Sequence, residues 1–343
     1  VNLNELAATT EDSEDSRKTM FTMTFSSPKT FDPAMVTEIN NSNIVSPINL
    51  GLVQFGSGTE VIGALAKSWH VENDNVTWSF TLRKDLKFHN GRNINAKDVK
   101  YSYERLLSKE LNSPNRWFLL AIKGAEDFYA GRTSSVPGIV IQGDYSIKLV
   151  LEYPYGAFIN NLAHCSCSIL PKEEISNILT KPVGAGPYKF KSYDRDINEI
   201  LFEKFDGYAL GEALVDYVKI RCDIEDSFEE FNVGGLDYMA VNAANRDKVK
   251  ERNYKVQISQ CIGSRFISFN FRTSNPLVHS KEVRQAINYC IDKERVIKDA
   301  FGGFEVPLKG VFPSSVLVNN GLKGYERNQS RARELINKSG VSA

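Results

Sequence analysis

His164, Cys165 and Cys167 are the residues closest in sequence to a chemical site. Imidazole and thiolate are ligands that a soft metal takes, and this run supplies part of such a set. The same two cysteines also suit small buried hydrophobes on a strand. The other histidines, His70, His89 and His279, stand apart from one another. No HExxH helix and no GxSxG elbow occurs. The glycine-rich run Pro182-Val183-Gly184-Ala185-Gly186-Pro187 lacks both GxGxxG and a following Lys-Ser/Thr, so it is a poor phosphate cradle. Asp98 and Asp292 fall where helix capping or surface pairing accounts for them, and no carboxylate pair has a spacing that signals acid–base work. The chain reads as a binder, not an enzyme, with no cofactor. Arg116-Trp117 sets an indole beside a guanidinium. Exposed, such a pair would offer a ligand a broad apolar face and a positive charge. The alternative packs Trp117, Phe118 and Leu120 into the core.

The elements that must position these groups are legible from periodicity. Trp78, Phe80 and Leu82 alternate with Thr77, Ser79, Thr81 and Arg83, which predicts a half-buried strand. Asn90-Gly91 predicts a turn, because both residues tolerate positive φ. Asn95 is placed to cap a helix with Asp98 at its third position, and Val99, Tyr103, Leu106 and Leu107 keep helical spacing behind it. Further strands are expected at Met20–Phe25, Tyr145–Leu151, Ile200–Phe205, Val215–Cys222 and Tyr254–Cys261. A helix is expected within Asn43–Phe55, although Pro47 sits awkwardly inside it. Another is expected over Lys281–Phe301, capped by Ser280 and ended by Gly302-Gly303. Asp32-Pro33 reads as a turn.

Composition narrows the class. The 343 residues are 42% hydrophobic, enough to bury the cores of two or three domains. Lys+Arg and Asp+Glu each number 42, so nothing favours a nucleic-acid partner. No run of 18 apolar residues occurs, and no apolar h-region follows Val1. The five cysteines show no CxxC spacing; Cys222 and Cys261 end two expected strands and could pair in an oxidising compartment.

Several motifs occur together in order. They are "LAKSW" at 65–69, "WSFTLRKDLKFHNGR" at 78–92 and "NAKDVKYSYERL" at 95–106. "PVGAGPYKF" at 182–190 and "NPLVHSKEVRQAINYCIDKERVI" at 275–297 follow. Together they resemble the signature of family 5 solute-binding proteins, the extracytoplasmic receptors of ABC importers for dipeptides, oligopeptides and nickel. The likeness runs over about residues 21–340 and covers the N-terminal two-thirds of a typical member.

That resemblance implies an α/β, periplasmic-binding-protein-like type II fold of two lobes (a Venus flytrap), with the second lobe incomplete in this chain. It divides the chain into an acidic tether at 1–19 and a first-lobe main subdomain at 20–45 plus 176–262. A subdomain inserted in that lobe spans 46–175, and the second lobe starts at 263–343. Two hinged lobes would favour the closed form when a ligand touches both. The resemblance places Thr37, Glu38 and Ile39 on the ligand cleft, together with Arg116 and Trp117. It implies a short peptide or other small solute as ligand, an ABC permease as partner and a monomer. The location implied is extracytoplasmic, in a periplasm or as a cell-surface lipoprotein whose anchor is not in this sequence. A solute-sensing domain of the same fold and a nickel or other metal receptor, the latter using His164, Cys165 and Cys167, are the alternatives.

Overall fold

The computed structural model describes residues 19–56, 58, 60–257, 263–311 and 323–341. The chain forms two compact units, 1–239 and 240–343.

The first unit contains two four-stranded sheets. In chain order its elements are β1 (Met20–Phe25), α1 (Ile39–Val45), β2 (Val53–Phe55), β3 (Val61–Gly63), β4 (Ala66–Val71) and β5 (Thr77–Leu82). Then come α2 (Ala96–Leu107), α3 (Ala125–Tyr129), β6 (Ile139–Ile141), β7 (Ser146–Val150) and α4 (Phe158–Leu162). The unit closes with β8 (Tyr188–Asp194), β9 (Glu199–Lys204), β10 (Tyr217–Cys222) and α5 (Ser227–Asn232).

One sheet has the order β4-β5-β7-β6 and is antiparallel throughout. Trp78, Phe80 and Leu82 of β5 face its core, as the alternation requires. Against this core α2 buries Val99, Tyr103, Leu106 and Leu107. The start of α2 carries a complete capping box. Asn95 accepts from the Lys97 N–H at 2.8 Å, and Asp98 accepts from the Asn95 N–H at 2.9 Å. Asp98 also pairs with Arg92 at 2.7 Å, which ties the Asn90-Gly91 turn to the helix. Gly91 takes φ +88°, the left-handed region that the turn requires.

The other sheet has the order β1-β10-β9-β8. β1 joins β10 in parallel, so residues nearly two hundred positions apart share a ladder, from Met20 with Tyr217 to Phe25 with Cys222. Its core holds Met23, Phe31, Ile44, Ile48, Phe202 and Ile220.

Gly184 and Gly186 lie where the chain passes α1's exit. Neither has positive φ, so a sharp turn is not what demands glycine. A Cβ at Gly184 would lie 1.8 Å from the Ile48 carbonyl oxygen, and one at Gly186 2.3 Å from that of Pro47. Close backbone approach is the reason. His89 completes the crossing. Its Nε2–H donates to the Gly186 carbonyl at 2.9 Å, its Nδ1 accepts from the Gly184 N–H at 3.3 Å, and the His89 N–H donates to the Gly184 carbonyl at 2.8 Å.

Two expected helices differ from the sequence reading. The 43–55 segment is helical only up to Val45. Ser46–Ile48 is a 3-10 turn around Pro47, and Val53–Phe55 is β2. Proline lacks the N–H that the next helical turn needs. In the second unit, α6 (Arg246–Glu251), α7 (Pro276–His279), α8 (Lys281–Cys290), α9 (Lys293–Phe301) and α10 (Gln329–Ser339) follow. The 281–301 segment is thus two helices. Ile291 is extended (ψ 122°), and the Asp292 carboxylate caps α9 by accepting from the Arg295 N–H at 3.0 Å. Ser280 caps α8 and Gly302, at φ +62°, ends α9, both as expected. Within 254–257 there is no strand; Cys261 and its proposed pairing with Cys222 lie outside the described residues, as does 1–18 of the acidic segment.

Candidate functional site

The site is built on a strap running from Asp32 to Ile39. Asp32 begins it by capping a 3-10 turn, accepting from the Ala34 N–H at 3.0 Å. Arg105, in the last turn of α2, grips the same carboxylate with both guanidinium arms, Nη1 reaching Oδ1 at 3.1 Å. Asp32 is only 3% exposed, so this is a buried, charge-assisted fork.

The strap is then held from the other side. Ser113 Oγ donates to the Ala34 carbonyl at 2.5 Å, and Asn115 Nδ2 donates to the carbonyls of Ala34 (3.2 Å) and Val36 (2.6 Å). These two buried residues immediately precede Arg116 and Trp117. The two segments singled out by the sequence, Thr37-Glu38-Ile39 and Arg116-Trp117, are therefore brought side by side, although about eighty positions separate them. Thr37, Glu38 and Ile39 are exposed, Ile39 to 77%, and Trp117 to 55%. Glu38 caps α1 in position only, without a side-chain bond to it, and pairs with Lys29.

Trp117 stays out of the core, while Phe118 and Leu119 enter it. The Trp117 ring stacks on Phe118 at 3.8 Å, and Phe118 stacks on His164 at 4.3 Å. This row is locked from behind by Asn161, whose Nδ2 donates to the Phe118 carbonyl at 3.0 Å. Arg116 is half-buried. Its guanidinium lies 4.5 Å from the Tyr129 ring centroid, and its Nη1 donates to the Ser113 carbonyl at 3.4 Å. Much of its binding capacity is thus spent inside the fold.

The metal reading of His164, Cys165 and Cys167 is not supported by geometry. The cysteines sit on a 3-10 turn, not a strand, and residues two apart on such a turn point in different directions. Cys165 Sγ lies 3.2 Å from Ser42 Oγ of α1, whereas Cys167 is wholly buried in the core. Burial pushes both thiols up, away from the thiolate that a metal needs. His164 Nδ1 is occupied in capping the turn, accepting from the Ser166 N–H at 3.2 Å, and burial holds the ring neutral by lowering its pKa. Among the described residues no group of three His, Cys, Asp or Glu side chains could hold a metal ion.

Beside Trp117 opens a cavity of about 580 Å³, walled also by Tyr153, Asn161, Glu126, Asp127 and Arg132. Sequence reasoning did not find it, nor the roles of Asp32, Arg105, Ser113 and Asn115. Only the Asp32-Pro33 turn signal touched any of these. No helix among the described residues is long and apolar enough to cross a membrane.

Residues 60–343 match the family model described as bacterial extracellular solute-binding proteins, family 5 Middle. The chain is similar to the glutathione-binding protein GsiB of Pectobacterium atrosepticum, with 28% identity over 318 residues, 90% of this chain and 59% of that protein. It superposes on the murein tripeptide binding protein MppA of Escherichia coli with a TM-score of 0.83 at 21% identity, covering 95% of this chain and 67% of that one. It also superposes on the periplasmic binding protein DppA of Helicobacter pylori, solved in complex with the peptide STSA, with a TM-score of 0.79 at 27% identity, covering 94% and 67%. The fold is that of the periplasmic binding proteins. The chain spans 59–64% of the length of the curated relatives it matches.

Proposed function

Because the chain belongs to the bacterial extracellular solute-binding proteins of family 5, we propose that it is the substrate-binding component of an ABC importer and that its solute is a short peptide. The observation that carries this reading is the extended strap held beside an exposed indole. Val36 and Glu38 both have extended backbone, with ψ of 122° and 142°. Among the described residues, the main chain of Thr37 between them makes no hydrogen bond. An extended peptide laid along this segment finds main-chain partners, as in strand addition. Trp117 supplies a broad apolar face for one of its side chains. Main-chain pairing is indifferent to side-chain identity, so a range of short peptides is accommodated. The peptide in the Helicobacter pylori neighbour supports the same class of ligand.

In this reading the protein works outside the cytoplasmic membrane, in a periplasm or as a surface lipoprotein, as a monomer that delivers peptide to a membrane permease. Native mass spectrometry of the gently purified protein, compared with the same sample denatured, tests the ligand. The expected result is a spread of extra masses, fitting short peptides, that disappears on denaturation. A single metal mass, or a folded protein with no extra mass, overturns the proposal.

A further inference from the structure

The cavity beside Trp117 has a chemistry that main-chain pairing does not explain. Two tyrosines, Tyr153 and Tyr155, share its wall with the indole, their ring centroids 6.4 Å apart. Leu120 and Ala121 add an apolar stretch to the wall. The charged groups on the wall are three carboxylates, Glu126, Asp127 and Glu152, against one guanidinium, Arg132. That guanidinium is already spent, because Arg132 Nε donates to Asp127 Oδ1 at 2.7 Å. Glu152 turns one oxygen to the Gly124 N–H at 2.9 Å, and both Glu126 and Glu152 are exposed, so the wall keeps surplus negative charge.

Ring faces attract cations through their quadrupole, carboxylates attract them directly, and the apolar stretch suits a methylene stem. We propose that this cavity is the side-chain pocket for a lysine or arginine of the bound peptide, which makes the protein a receptor that favours basic peptides. The inference rests on the peptide reading above and names the substrate class of that site. An acidic side chain is repelled by the same wall. A neutral apolar one keeps the contact with the rings but leaves the carboxylates without a counter-charge. At about 580 Å³ the cavity exceeds one side chain, so water fills the rest and the preference is graded, not absolute.

Isothermal titration calorimetry of the whole chain with Ala-Lys-Ala, Ala-Met-Ala and Ala-Glu-Ala tests it. The expected order is lysine first, methionine about 10-fold weaker and glutamate weakest, with the lysine advantage shrinking in high salt. In the E126Q/E152Q variant the lysine and methionine peptides bind alike. A thermal unfolding midpoint equal to that of the native chain shows that the variant is folded. E126Q alone loses about half of the advantage on a logarithmic scale. Equal affinities for the three peptides in the native protein overturn the pocket and leave the peptide reading standing, as does a lysine preference that survives E126Q/E152Q. Binding of none of the three overturns both.

Discussion

At the scale of single residues, the arrangement depends on a few side chains whose partners are far away in sequence. Asp32 and Arg105 are the clearest case, at 4% and 15% side-chain exposure. Replacing Arg105 by Met removes the counter-charge and leaves a buried carboxylate, so a loss of about 3–5 kcal/mol is expected in urea unfolding. The D32N/R105M pair, which buries no lone charge, recovers a good part of that loss. Gly184 is the second case. A methyl group there meets the Ile48 carbonyl at 1.8 Å, and a main-chain oxygen cannot rotate aside as a side chain can. G184A is expected to cost about 3 kcal/mol, at the upper end for overpacking, and to show as a lowered Tm. Trp117 is different in kind. It is exposed, so W117A leaves the unfolding midpoint nearly unchanged while peptide affinity falls about 10-fold or more, read by calorimetry.

At the scale of elements, local signals sufficed wherever the competing interactions are local. The strand at β5 and the capped helix α2 both follow from residues within a few positions of one another. N95A removes one half of the capping box and is expected to lower stability by about 1 kcal/mol, with N95S close to neutral; thermal unfolding of the two side by side checks this. The expected helices that differed failed for identifiable reasons. Apolar spacing carried the 43–55 reading past Pro47, where the missing N–H ends α1. The 281–301 segment has unbroken apolar periodicity, yet Asp292 offers its carboxylate to the start of a second helix and the chain breaks there. In both cases one residue's hydrogen-bonding capacity outweighed the pattern around it.

At the scale of the whole molecule, His89 links folding to pH. Burial lowers its pKa from 6.5 to about 4, and the Gly186 carbonyl only partly opposes this. The fold therefore prefers the neutral ring, whose Nδ1 must stay unprotonated to accept from Gly184. A depressed pKa means that the stabilisation is fully present above 6.5 and is lost as pH falls from 6.5 toward 4. The full difference is about 3 kcal/mol. The H89Q variant cannot titrate, so its stability deficit relative to the native chain should shrink by about that amount between pH 7 and pH 4. A deficit that stays constant across that range contradicts the assignment.

By itself the sequence determined the family, the α/β class and the local elements with strong periodicity and caps, because hydrophobic alternation and capping act over a few residues. It also marked Thr37–Ile39 and Arg116-Trp117 as candidates, through resemblance to relatives. What it could not express was that Ser113 and Asn115 hold the Ala34 and Val36 carbonyls, or that β1 lies parallel to β10. Nor could it show that Cys165 and Cys167 face apart, or that two tyrosines and three carboxylates line a cavity beside Trp117. Each of these is a pairing between groups tens to nearly two hundred positions apart, or a direction in which a side chain points. Such pairings carry no period along the chain, and they exist only once burial of the two sheets has brought the segments together.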